Sequence, residues 1–280
     1  MPSFDFQERD PFSPIVYSYP GTTLLHQERT PYQEIAVLQH PHFGKMLALD
    51  GVIQLTERDE FFYHEMLVHP ALHVHPAPRQ VLIIGGGDGG SLREVLKHPE
   101  VQAVTLVEID GGVIEVSRRF FPGLSQGFAD PRVKVLLDDG AKVVRDPPAR
   151  YDVAIVDSTD PVGAAEILFS SEFYGAVGNA LTSQGILVTQ SESLLFHLSF
   201  VAEVQRRLMQ HFPIADCYTQ PLATYAGNWW TFSIASKTHS PRRPVRAQKV
   251  PTRYYSSAVH RKAFLPRSLY RRLVAGKLDW

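Results

Sequence analysis

The chain has 280 residues, 44% of them apolar and 20% charged, with a formal net charge of −1. That profile belongs to a globular protein with room for one large domain, or a main domain and a small companion, and gives no global electrostatic case for nucleic acid or a membrane surface. The one cysteine, Cys217, rules out an internal disulfide and suits a reducing compartment, where it reads as a small buried residue beside a strand.

The opening "MPSFDFQERD" carries acids and no apolar segment, so it does not read as a signal peptide, and no apolar run reaches membrane-spanning length. A cytoplasmic protein is expected. Residues 1–56 predict a small β-rich unit. In "IAVLQHPHFGKMLALDGVIQLT" two β-like runs flank His40–Gly44, and Asp50-Gly51 marks a tight turn. Thr56 and Asp59 are then spaced as a capping box that opens a helix in "TERDEFFYHEMLVH".

Residues 57–280 predict an α/β domain with a basic C-terminal extension. From Arg79 onward the apolar runs "VLIIG", "VTLVEI", "VKVLL", "VAIVDS" and "GILVTQ" alternate with helical segments such as "SLREVLKHP". Short, nearly continuous apolar strands between helices indicate a mostly parallel, doubly wound sheet covered on both faces. "IADCYT" and "WWTFSIAS" complete it. The basic tail from Ser240 to Trp280 is expected to pack on the core through Tyr254, Tyr255, Phe264 and Leu265, with solvated charges, rather than serve as a nucleic-acid arm.

The first strand runs into "GGGDGG", where Gly85, Gly87 and Gly90 fit the G-x-G-x-x-G dinucleotide fingerprint. Such turns aim N–H groups at phosphate, so Asp88 is out of place there. Other strand ends carry acids too: Glu108 and Asp110, Asp138 and Asp139, Asp157 and Asp160, then Gln190 with Glu192. Any one of them could simply cap a helix. Together on one rim, clustered carboxylates are costly unless cations meet them. The expected ligand is nucleoside-like, held through its ribose by Glu108, with a positively charged tail near Asp88. Decarboxylated S-adenosylmethionine, which ends in a bare aminopropyl ammonium, fits better than a dinucleotide.

The motifs "PYQEI", "FGKMLALDGVIQLTERDEFFYHEML", "VLIIGGGDGGSLREVLKH", "VTLVEID", "DDG", "YDVAIVDSTDP", "LFSSEFY" and "RYY" occur in order along most of the chain. In this the sequence resembles the spermidine synthase (polyamine aminopropyltransferase) family. The resemblance implies a methyltransferase-like Rossmann domain behind the β-rich unit, and a homodimer or homotetramer. It implies that Gln33, Glu108, Asp139 and Gly140 hold the adenosine and that Asp88 holds the aminopropyl amine. Gln54, Tyr63 and His64 would line the amine channel, Asp157 would be the general base, and Asp160, Gln190 and Tyr225 would orient the diamine. Three departures stand out. The flap reads Gly163-Ala164-Ala165 where the family has Gly-Pro-Ala or Gly-Pro-Gly, which puts its adenine contact at Ala164. The family's Pro-Thr-Tyr is Ala223-Thr224-Tyr225. No tryptophan precedes Trp229, so the wall beside the diamine falls to Phe4, Phe6, Phe12 or another residue.

The reaction so implied joins putrescine to the donor's aminopropyl group, with no metal or cofactor required. Its difficulty is protonation: an alkylamine with pKa about 10.4 is neutral only about once in two or three thousand molecules at pH 7. The sulfonium lowers that pKa, Asp157 takes the proton, and orientation can contribute about 7–11 kcal/mol. The run His64, His69, His73 and His75 offers an i,i+4 pair, His69 and His73, but Pro70 is expected to interrupt the helix between them, so no metal site is assigned. Three other readings stay open: an amine methyltransferase using S-adenosylmethionine, a nicotinamide-dependent dehydrogenase, and a non-catalytic polyamine or nucleoside sensor.

Overall fold

The structure is a computed structural model and describes residues 2–10, 12–225, 227–247 and 249–280. Strands β1 (Phe4–Arg9), β2 (Val16–Arg29), β3 (Glu34–His40), β4 (Gly44–Leu49) and β5 (Val52–Thr56) form an antiparallel sheet in that order. The turn joining β4 to β5 has positive φ at both Asp50 (47°) and Gly51 (80°). This is the primed hairpin turn that an Asp-Gly pair favours.

Helix α1 (Glu60–Val74) follows, then β6 (Gln80–Gly85), α2 (Gly90–Leu96), β7 (Ala103–Glu108), α3 (Gly111–Phe120), α4 (Pro122–Ser125), β8 (Val133–Leu137) and α5 (Gly140–Val143). The chain continues through β9 (Tyr151–Asp157), α6 (Ser171–Ala180), β10 (Leu181–Ser193), α7 (Leu198–His211), β11 (Ile214–Pro221), β12 (Trp229–Ser236), α8 (Ser257–Ala263) and α9 (Arg267–Val274). The second sheet has the order β11-β12-β10-β9-β6-β7-β8, parallel from β10 to β8, with β12 antiparallel to both neighbours. Val81 and Ile83 of β6 face one core while Leu82 and Ile84 face the other, which is why these strands read as unbroken apolar runs. The two sheets meet where Ile35 and Val37 of β3 pack on Val113 and Val116 of α3. Among the described residues no helix is long and apolar enough to cross a membrane.

Helix α1 corrects two expectations. It runs through Pro70 without breaking. Proline removes one helical hydrogen bond, the one to the carbonyl four residues back, and Tyr218 Oη of β11 donates to that Met66 oxygen instead, at 2.7 Å. His69, His73 and His98 are consequently together and buried. His69 Nδ1 lies 3.0 Å from His98 Nε2, and its Nε2 lies 3.0 Å from Glu94. The capping box is also absent. Asp59 occupies the N-cap position but caps nothing. Its carboxylate accepts from Thr56 Oγ1 (2.6 Å), Thr224 N (3.2 Å) and Thr224 Oγ1. That bond anchors the segment that presents Tyr225, where Ala223 replaces the family's proline.

The basic tail packs. The backbone N–H groups of Arg253, Tyr254 and Tyr255 donate to the buried Glu65 carboxylate at 2.7–2.8 Å, and Arg253 stacks on Phe61. Tyr255, Phe264 and Leu265 are buried.

Candidate active site

Open α/β sheets bind ligands outside the carboxyl ends of their strands, at the switch in strand order. Here the switch lies between β6 and β9, where Gly85 pairs with Asp157. A Cβ on Gly85, whose φ is +79°, would sit 2.1 Å from the Asp157 carbonyl oxygen, so only glycine lets the turn cross there. Gly86 N donates to that same oxygen at 2.9 Å.

The other glycines serve side chains rather than a phosphate. Gly87 N donates to Glu108 Oε2 at 3.1 Å. A Cβ on Gly90 would lie 2.2–2.5 Å from the His64 ring, so the fingerprint's last glycine makes room for an imidazole. That ring lies between two carboxylates, with Nδ1 2.7 Å from Glu60 Oε2 and Nε2 3.3 Å from Asp88 Oδ1. Arg93 grips Glu60 with two nitrogens, at 3.1 and 2.8 Å. Burial alone would lower the His64 pKa, but Asp88 and Glu60 push it up to about 10. Burial works to raise Asp88, yet His64 and the Gly90 N–H, at 2.6 Å, hold it below the ordinary carboxylate value. The rim therefore contains a cation that its loops did not reveal, contributed by α1.

Asp157 stands beside this pair. Tyr63 Oη donates to its Oδ1 at 2.8 Å, and Oδ2 has no aligned hydrogen-bond partner among the described residues, although the Ser91 hydroxyl is near enough to stabilise the carboxylate. Burial, then the Asp88 charge, raises its pKa. Beyond Tyr63 opens a narrow cleft between the N-terminal sheet and the strand ends, lined by Gln54, Asp160, Gln190 and Tyr225 among others. Gln190 Nε2 donates to Thr159 O at 3.3 Å, and its Oε1 accepts from Glu192 N at 3.0 Å. Tyr225 Oη donates to Gln54 O. Asp160 is raised well above its ordinary value by burial and by Glu192. Burial also pushes Glu192 and Glu8 up to about 7.

At the opposite end, burial raises Glu108 to about 7 although Asp110 N and Gly87 N both donate to it. Gln33 Nε2 donates to Asp110 Oδ2 at 2.8 Å, one residue pair away from Glu108. Asp139 caps α5 through Ala141 N at 2.8 Å. Gly140 lies against Ile84, where a Cβ would meet Cγ2 at 2.4 Å. The strand-end acids thus divide. Asp110 and Asp139 are helix caps, and Asp138, half-buried, pairs with Lys142 at 3.2 Å. Asp88, Glu108, Asp157, Asp160 and Glu192 gather at the crevice. Ala164 is exposed on the 3-10 segment Gly163–Phe169 and does not line the cleft.

Several cleft residues escaped the sequence reading. Glu8 of β1 shares a strand face with Phe6, and an acid on an apolar face was the available signal. Asp10 and His197 also line the cleft; His197 Nδ1 lies 3.1 Å from Glu192 Oε2, outside hydrogen-bond alignment. The aromatic wall is Tyr17, Tyr225 and Trp230 rather than Phe4, Phe6 or Phe12, with the Tyr225 and Trp230 rings 4.6 Å apart. A tryptophan, Trp230, reaches the cleft from β12.

Comparison with known proteins agrees with this geometry. Residues 60–244 match the spermine/spermidine synthase domain, and residues 6–57 match the spermidine synthase tetramerisation domain. The chain belongs to the spermine/spermidine synthase family. It is 53% identical over 275 residues to polyamine aminopropyltransferase 1 of Aquifex aeolicus, covering 98% of both chains. To the polyamine aminopropyltransferase of Bacillus subtilis it is 44% identical over 243 residues, covering 86% of this chain and 88% of the other. A crystal structure of spermidine synthase in complex with the transition-state analogue AdoDATO superposes with a TM-score of 0.90 at 35% identity, covering 97% and 95% of the two chains. The Thermotoga maritima spermidine synthase gives 0.89 at 33% identity, with the same coverage. The chain is accordingly an enzyme of the polyamine aminopropyltransferase class. The dehydrogenase reading falls with the glycine fingerprint, whose N–H and space go to Glu108 and His64.

Proposed function

We propose that the enzyme transfers the aminopropyl group of decarboxylated S-adenosylmethionine to putrescine, giving spermidine and methylthioadenosine. Glu108 holds the ribose diol, with Gln33, Asp139 and Gly140 around the adenosine. Ile109 and Leu137, exposed apolar side chains at the ends of β7 and β8, offer the purine its contact. Ala164 closes over it with the flap. Asp88 binds the aminopropyl ammonium. His64, the cation next to Asp88, has both nitrogens engaged by carboxylates, so the carboxylate of intact S-adenosylmethionine finds no free partner there. This disfavours the methyltransferase alternative.

The observation that carries the reading is Asp157, set between the two ends with one oxygen held by Tyr63 and the other without an aligned hydrogen-bond partner among the described residues. Its raised pKa suits a group that must accept a proton. The attacking nitrogen forms a bond to the methylene beside sulfur, the carbon–sulfur electron pair leaves with the sulfur, and the ammonium proton passes to Asp157. Glu8, Asp160 and Glu192 hold the distal ammonium, with Gln54, Gln190 and Tyr225 orienting the chain between. The donor is a co-substrate consumed in each turnover, so the reaction as written uses no cofactor. Residues 1–56 form the subunit-contact unit and residues 57–280 the catalytic unit, assembled as a homotetramer; light scattering tests the stoichiometry. Mass spectrometry of products from the decarboxylated donor and putrescine, cadaverine, agmatine or spermidine tests the chemistry. Spermidine from putrescine is expected to dominate. Preferential modification of another amine replaces the acceptor assignment, and absence of any aminopropylated product leaves the sensor reading.

A further inference from the structure

We infer that His64 is the resident cation of the donor's amine site, an imidazolium that leaves Asp88 by releasing its Nε2 proton when the donor's ammonium binds. The inference rests on the donor assignment above. Its own support is geometric. His64 is 2% exposed, and each ring nitrogen faces a carboxylate, Glu60 at 2.7 Å and Asp88 at 3.3 Å. A neutral imidazole carries hydrogen on one nitrogen only, so only the doubly protonated ring turns an N–H to each carboxylate, as a hydrogen bond to Glu60 and an ion pair with Asp88. The groups facing it are Glu60 of its own helix, Asp88 in the glycine turn, Arg93 of α2, and Asp157 at the end of β9, with Tyr63 and Tyr225 beyond.

An ammonium arriving at Asp88 meets this second cation at close range. Two like charges at close range in a site shielded from solvent repel strongly. The imidazolium cannot step aside, because Gly90 packs against the ring and Glu60, fixed by Arg93, holds Nδ1. Loss of the Nε2 proton to solvent removes the repulsion. It leaves Nδ1–H donating to Glu60, so Nε2 becomes an acceptor for the incoming ammonium. The Arg93–Glu60 pair thereby selects one tautomer and makes His64 a positioning residue for the donor's tail. Methylthioadenosine, which has no ammonium, leaves the imidazolium in place.

Calorimetry in buffers of differing ionisation enthalpy reads the proton directly. At pH 8 Glu8 and Glu192, near 7, are mostly ionised already, whereas His64, near 10, is charged. Donor alone, without amine, is expected to release about one proton more per site than methylthioadenosine, and His64→Gln should abolish the difference. Should that variant not fold, histidine-labelled wild-type enzyme serves in NMR, with the His64 ring assigned through its contact with the Gly90 α-protons. Both ring nitrogens should be protonated in the free enzyme and with methylthioadenosine, and only Nδ1 with donor. Equal proton release for the two ligands, an undiminished difference in His64→Gln, or a neutral ring in the free enzyme overturns the inference. A donor that fails to compete with methylthioadenosine overturns the donor assignment itself, and is recognised by the absence of binding.

Discussion

The two ends of the crevice treat their acids differently. At the glycine turn every carboxylate has hydrogens supplied by the protein: Asp88 from Gly90 N, with His64 beside it as an ion-pair partner, Glu108 from Gly87 N and Asp110 N, Asp110 from Gly112 N, Thr30 and Gln33. At the far end Asp160 faces Glu192, and Glu8 receives, among the described residues, only long bonds from Ile53 N and Tyr19 Oη, both 3.3 Å. Burial is expensive for a charged group, and Glu8 and Glu192 are raised to about 7, as Glu108 is at the first end in spite of its two N–H donors. The first end is prepared in advance to recognise its ligand. The second waits for a cation to supply what the fold withholds.

Asp157 lies between the ends and gives the largest test. Asp157→Asn keeps the shape and the Tyr63 contact but removes the proton acceptor. We expect kcat to fall by about 10²–10⁴, with methylthioadenosine affinity, measured by calorimetry, close to wild type. Undiminished turnover ends its assignment as base. A loss confined to nucleoside binding would make Asp157 part of the prepared end instead.

The waiting end should respond through amine binding. Glu192 has a left-handed backbone (φ 70°), a strained conformation for a residue with a side chain, and Thr231 Oγ1 fixes its carbonyl at 2.8 Å. Glu192→Gln removes one charged hydrogen-bond partner, worth about 1.5–3 kcal/mol, so the KM for the diamine should rise about 10–100-fold while kcat changes little. A fall in kcat at constant KM would show that the two ends are not functionally separate.

Acidity sharpens the same contrast. Glu8 and Glu192 have pKa values raised from 4.5 to about 7, so below pH 7 each carries a proton that a diamine's ammonium must displace. Amine affinity should weaken as pH falls, approaching tenfold per unit for each such group. In Glu192→Gln that slope should drop by the contribution of one group. For the empty protein the sign is opposite: these raised carboxyls favour folding at pH 4.5 and lose that advantage as pH rises through 7. An amine KM that stays flat from pH 8 to 6 would mean these acids are ionised before the ligand arrives.

Much of this was legible in the sequence because parallel strands buried on both faces read as apolar runs, and because ligands lie where those runs end. Asp88, Glu108, Asp157 and Asp160 could be placed on one rim by that rule alone. The charge of His64 could not, since it depends on Glu60 and Asp88 meeting one ring from two elements. Asp110 and Asp139 look like Asp157 in sequence, and only the helices they cap distinguish them. Asp59 has cap spacing, but Thr224 competes for its carboxylate. The aromatic wall was sought among N-terminal phenylalanines, whereas it joins Tyr17 of β2 to Tyr63, Tyr225 and Trp230 from later in the chain. For His64, Asp59 and the aromatic wall a local signal was overruled by a partner distant in sequence, whereas Asp110 and Asp139 are spent on the helices that follow them directly.

Pro70 is the clearest such case and yields the smallest expected effect, outside the crevice altogether. The Met66 carbonyl, deprived of its helical partner, accepts from Tyr218 Oη in a fully buried position. Tyr218→Phe should cost about 1–3 kcal/mol by leaving that oxygen unsatisfied, and lower Tm by a few degrees without altering kcat. Pro70→Ala restores an N–H that can reach the same oxygen, so Tyr218→Phe should cost less in that background than in the wild type. Changes in unfolded-chain entropy from losing the proline cancel in the comparison of the two backgrounds. Additive effects in this cycle would mean that the hydroxyl does not stand in for the missing bond. A drop in kcat would mean that α1, which carries Tyr63 and His64, needs that bond to aim them.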